Sequence, residues 1–207
     1  MVLTLQPALL ACLSYAATAV LTLRNEQHKS VVERVNTQLN ALYGPLLACV
    51  TASKSSYDAM IRQFENRHRA AADAPAVGSL SAAEFRAAVR RRPSGPEATA
   101  YRAWVRAVLM PLSVKAANLV IERADLLEGD DIDPILLPLA APVSASRVIL
   151  AQWDKGEVAE PSAISFPEKI HQWVSEEFGK LKRRQAVLLG MRGGQSGGLR
   201  YRLAARL

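Results

Sequence analysis

The sequence predicts an all-α protein: an N-terminal single transmembrane helix followed by a four- to five-helix bundle. Three observations carry that prediction. Residues Val2 to Leu23 contain no charged side chain. After a charged hinge, Arg24 to Lys29, the apolar residues Val32, Val35, Leu39, Leu42, Leu46 and Cys49 recur at spacings of 3, 4, 3, 4 and 3, which is one seam of an α-helix. Nowhere along the 207 residues does the apolar/polar alternation of a half-buried strand appear. The expected organisation is an anchor over residues 1–23, a helical domain over 24–190 and a flexible basic tail over 191–207.

The first stretch is long enough to cross a bilayer. Its 22 residues at about 1.5 Å each span roughly 33 Å, against a hydrocarbon core of about 30 Å. Pro7 sits near its start, where a helix tolerates proline. Ala8, Cys12 and Ala16 repeat at four residues, as do Ser14, Thr18 and Thr22. Small side chains at that spacing form a candidate helix-packing face, and the hydroxyls can bond across to a neighbour or back to their own backbone. A cleaved signal would place Ala17 and Ala19 at the cleavage motif but lacks a basic leader segment, and a transit peptide is excluded because no Arg or Lys precedes Arg24. A helix buried in the body or against a partner is the third reading. Positive charge following the stretch puts the body of an anchored chain on the cytoplasmic or an equivalent side.

The seam helix meets Gly44-Pro45, where the proline removes the bond to the Ala41 carbonyl and crowds it, so a kink or a break is expected. The seam resumes through Val50, Tyr57, Ile61 and Phe64 and should end near Pro75 and Gly78. Ser81 and Glu84 have the spacing of a capping box for a short helix that closes at Arg90-Arg91-Arg92-Pro93. Pro96 opens the next helix, with Tyr101, Trp104, Val105, Val108, Leu109 and Leu112 on one side, and Pro111 bends it. That apolar run ends at Glu128 to Asp131. Prolines at 134, 138 and 142 predict an irregular segment before a helix from Val143 to Trp153. The last helix starts near Pro167, with Ile170, Val174, Phe178, Leu181 and Leu188 on its seam.

Charge is concentrated at one end. The chain carries +7, yet residues 180–207 hold eight Lys and Arg and no acid, which leaves −1 for residues 1–179. Lys180, Lys182, Arg183 and Arg184 form a candidate patch for anionic lipid or an acidic partner, and a nucleic-acid partner is not expected because the folded body itself is not basic. Two cysteines provide no disulfide framework and indicate a reducing compartment. Catalytic and metal motifs are lacking. His28, His68 and His171 fall in separate polar stretches with no ligand-spaced neighbour. Asp130, Asp131 and Asp133 lack the alternation and distal Glu of a calcium loop. Gly193 to Gly198 follows a helix and has no phosphate-loop lysine. No cofactor is predicted.

Leu42-Tyr43-Gly44-Pro45-Leu46, with Trp104, Pro111-Leu112, Ile121 to Leu127, Trp153 and Phe166-Pro167 following in order, resembles a pattern in uncharacterised helical proteins of bacteria, fungi and green algae. In that pattern Asn often stands where this chain has Ser113, and a His and an aromatic occur near the positions of Pro142 and Ser146. The resemblance implies a helical fold and no established activity. The sequence therefore predicts a membrane-anchored interaction or scaffold protein, such as an accessory subunit of a membrane complex, that works through protein partners at its helix faces. A peripheral protein binding anionic lipid or RNA through its basic tail, and an enzyme without a recognisable motif, are the alternatives.

Overall fold

The computed structural model describes residues 5–72, 82–129, 132–157 and 168–191; within these, the side chains of 5–12, 68–72, 168 and much of 137–146 lie outside the description. Every regular element among the described residues is helical. Helix α1 is Leu5–Thr37, followed by a π-helical stretch Gln38–Tyr43 and α2, Gly44–Ala72. Then come α3 Ala82–Arg91, α4 Pro96–Trp104, a second π-helical stretch Val105–Leu109, and α5 Met110–Glu122. Short 3-10 turns at Ala124–Leu126 and Pro134–Leu136 lead to α6, Leu137–Asp154, and α7 is Glu168–Leu188. The chain divides into two compact units, residues 1–39 with 179–207, and residues 40–178.

Both π-helical stretches have the same cause. Each ends two residues before a proline, Pro45 in one case and Pro111 in the other. A proline in a helix lacks the N–H that would bond the carbonyl four residues back, and its ring collides with that carbonyl. Those carbonyls, of Ala41 and Ala107, lie inside the widened turns, where bonding to the fifth residue turns them away from the ring. The expected kinks at Pro45 and Pro111 are therefore absorbed without ending the helix.

Further boundaries are corrected. Pro138 sits in the first turn of α6, where its missing N–H costs nothing, so the helix starts at Leu137 and carries Pro142 within it rather than beginning at Val143. The helix after Pro111 closes at Glu122, earlier than Glu128. Asp133 caps a turn that Pro134 opens, with the Ile135 N–H donating to its Oδ1 at 3.0 Å. The Ser81 half of the proposed capping box, Pro75 and Gly78, and Asp130 and Asp131 lie outside the described residues.

The predicted seam is the core. In residues 40–178, Leu42, Leu46 and Val174 are fully buried, and Tyr43, Cys49, Val50 and Ile170 nearly so. Met60, Phe64, Phe85, Val89, Ala98, Tyr101, Val105 and Leu109 form a larger cluster where α2, α3 and α4 meet. Met110, Ala117 and Val143 join α5 to α6. In residues 1–39 with 179–207, Val35, Gln38, Leu39 and Leu181 are buried, and the Gln185 amide donates to Asn36 Oδ1 at 2.6 Å, tying α7 to α1. No described buried side-chain polar atom lacks a hydrogen-bond partner.

Candidate membrane-contacting surfaces

The first candidate surface is the N-terminal half of α1. From Leu13 to Val31 every residue is exposed, and these include Leu13 (61%), Tyr15 (79%), Val20 (52%), Leu21 (59%) and Leu23 (63%). At about 100° per residue these five point to every side of the helix. A surface helix of a globular body is apolar along one stripe only; here the exposed apolar side chains spread beyond one stripe, with Ser14, Thr18 and Thr22 forming a hydroxyl stripe between them and a polar stretch, residues 24–30, following. Its hydroxyls are turned inward on the backbone: Thr18 donates to the Ser14 carbonyl, and Thr22 donates to the Thr18 carbonyl at 2.9 Å. Such a bond satisfies the hydroxyl without water. Ser30 and Thr37 repeat it further along, bonding the carbonyls of Glu26 and Glu33.

Ala16, one member of the small-residue repeat, is exposed, whereas the side chains of Ala8 and Cys12 lie outside the described residues. By length and composition, one helix among the described residues is apolar enough to cross a membrane, and it is Pro96–Glu122, with a third of its apolar window buried, rather than the expected N-terminal span. Its buried side chains, Ala98, Tyr101, Val105, Leu109, Met110, Ala116, Ala117 and Val120, are core of residues 40–178. Packing against α2 and α6 accounts for that buried third.

The second candidate surface is cationic. Lys180, Lys182, Arg183 and Arg184 are all exposed on α7. Lys182 Nζ donates to Gln185 Oε1 at 2.9 Å, and the Arg183 guanidinium lies beside Gly179. Helix α7 continues to Leu188, the last residue of the expected seam and a full turn beyond Arg184, and its last turn holds no basic residue. The dipole acts within the final turn, so it does not account for the cluster. Exposed Val187, Leu189 and Met191 follow directly. The remaining basic residues from Arg192 onward lie outside the described residues.

A third feature was not legible in the sequence. An open groove of about 640 Å³ runs between α5 and α6, with Met110, Val114 and Leu150 lining its floor and Arg106, Lys115 and Arg147 its rim. At one end Arg106 pairs with Asp154 at 2.5 Å. Along the π-helical stretch and α5 the lining residues Arg106, Met110, Val114, Asn118 and Glu122 repeat at four, but the opposite wall depends on α6 packing back antiparallel.

The His68 side chain lies outside the described residues. His28 is exposed, and His171 Nε2 lies 3.4 Å from Thr51 Oγ1. Cys49 is buried, and that burial raises its thiol pKa, an effect that Lys115 partly offsets. Burial likewise raises the Tyr43 hydroxyl. Within the Leu42 to Leu46 motif, Leu42, Tyr43 and Leu46 are core residues. No family model, curated protein or solved structure matches this chain.

Proposed function

We infer that the chain is a membrane-anchored helical interaction protein, held by the N-terminal half of α1 and presenting its remaining helices to a protein partner. The observation that carries this reading is the all-round exposure of Leu13, Tyr15, Val20, Leu21 and Leu23 on a helix whose threonine hydroxyls bond their own backbone. Water is a poor solvent for such a surface, while hydrocarbon suits it. Arg24 and Lys29 follow the apolar stretch and no Lys or Arg precedes it, which favours a body on the cytoplasmic or an equivalent side. Partner binding along Ala8, Cys12 and Ala16 belongs to the same reading, because small side chains allow close helix approach in lipid.

Alkaline carbonate extraction of the full chain, and of a Leu13→Asp/Val20→Asp variant, tests it. The unaltered chain stays with the membrane and the variant is released, since a carboxylate at the centre of a span costs about 2.5–3.5 kcal/mol. Release of the unaltered chain, or recovery of a membrane form that has lost residues 1–23, overturns the anchor. A second reading, peripheral attachment through α7, is favoured by the exposed Lys182 and Arg183 adjoining exposed Val187, Leu189 and Met191. In that case salt alone releases the protein.

A further inference from the structure

The α5/α6 groove combines two features that the anchor reading does not use. Its floor is apolar, with half-buried Val114 and Leu150 over the buried core residue Met110, and its rim is cationic. Arg106 is matched by Asp154, but Lys115 and Arg147 make no ion pair among the described residues. The Arg106–Asp154 pair and the Met110/Ala117/Val143 cluster set α5 and α6 antiparallel, which brings Arg147 level with the turn that carries Val114 and Lys115. Two cations without an ion pair among the described residues therefore line opposite walls within about one turn of each other. The one acid in the lining, Glu122, is seven residues beyond Lys115, about 10 Å along the helix.

The combination selects an occupant. An inorganic anion would use the cations and leave the floor wet; a neutral apolar molecule would use the floor and leave the cations apart. A molecule with an anionic head and an aliphatic tail satisfies both. The volume, about 640 Å³, is of the size that holds one small ligand. The chain's own C-terminal residues are basic and would be repelled. We propose that the groove binds one anionic phospholipid, its phosphate between Lys115 and Arg147 and part of an acyl chain along Met110, Val114 and Leu150.

The proposal does not rest on α1 entering a membrane, since every residue it uses lies within residues 40–178. Native mass spectrometry of the full chain in neutral detergent tests it, with phosphatidylglycerol and phosphatidylcholine of the same acyl chains as probes. One phosphatidylglycerol should bind at least tenfold more tightly than phosphatidylcholine. Lys115→Gln/Arg147→Gln, both exposed substitutions, should abolish that preference. Val114→Trp, which fills the floor, should weaken both lipids, while Lys182→Gln/Arg183→Gln should leave the single bound lipid unchanged. Equal binding of the two lipids, an unaffected Lys115/Arg147 variant, or loss of the lipid in the Lys182/Arg183 variant would each overturn the site. Binding of glycerol phosphate as tight as that of the whole lipid would reduce it to an anion site, and displacement of the lipid by an acidic peptide at equal concentration would reassign it to a protein partner.

Discussion

Phe85 stands edge-on to Phe64, with ring centres 4.8 Å apart and planes at 67°, and on its other side it meets Tyr101 at 6.0 Å and 64°. Both arrangements place a ring edge against a ring face, the favourable sense of the aromatic quadrupole. Trp153 extends the chain of rings from Tyr101, so one residue of the short helix α3 links α2, α4 and α6. Phe85→Ala should cost about 3–5 kcal/mol. Arg86→Ala next to it removes only an exposed bond to the Tyr57 hydroxyl and should cost less than about 1 kcal/mol. Urea midpoints of the two variants give the comparison, and α3 is misplaced if they coincide.

Leu46 is fully buried and Arg91 is exposed at the last turn of α3. Leu46→Asp puts a carboxylate where no described cation pairs with it and should destabilise residues 40–178 by several kcal/mol. Arg91→Ala loses a long hydrogen bond to the Ala87 carbonyl and should shift the midpoint little. This pair tests the seam that the spacing of residues 32–49 predicts.

How far the sequence reveals this fold depends on how local each cause is. Seam residues were legible because 3.6-residue periodicity is local: Val35, Leu39, Leu42 and Leu46 are predicted and buried. The π-helical turns were not, because a proline preceded by apolar helix reads as a break, and only packing on both sides holds the helix together through Pro45 and Pro111. The α7 cations were legible as residues, and the seam that reaches Leu188 carries the helix past them. Lys115 and Arg147 are 32 residues apart in sequence and share a groove only because α5 and α6 are antiparallel.

The Tyr101 hydroxyl is pushed up to about 12, by burial first and by Tyr57 second, with Arg86 opposing. In the unfolded chain it ionises near its ordinary value of 10.0. The sign follows from linkage: a folded pKa above the unfolded one means that the stabilising contribution is complete below pH 10 and is lost as pH rises toward 12. Stability should therefore fall across that window. Tyr101→Phe, although it loses a hydroxyl contact, should flatten that part of the decline, as read from urea midpoints taken between pH 9 and 11. An unchanged slope would show that the hydroxyl reaches solvent.

The α7 cluster leads to a prediction about salt. Lys180, Lys182, Arg183 and Arg184 are exposed a turn before the helix ends, with Val187, Leu189 and Met191 exposed beyond them. A cation near an anionic surface contributes up to about 1 kcal/mol, and that contribution falls off within a Debye length, about 10 Å at 0.1 M salt. If α1 alone holds the chain, altering this cluster changes little. If α7 also touches the bilayer, a Leu13→Asp/Val20→Asp chain should still bind vesicles rich in anionic lipid at low ionic strength and leave them as salt rises. Replacing all four cations by Gln in that background should cut low-salt binding at least tenfold and remove most of its salt dependence. Vesicle flotation across a salt series measures both. Binding that persists at 0.5 M salt in the four-Gln chain would assign the contact to Val187, Leu189 and Met191, and no binding at any salt would leave α1 as the sole attachment.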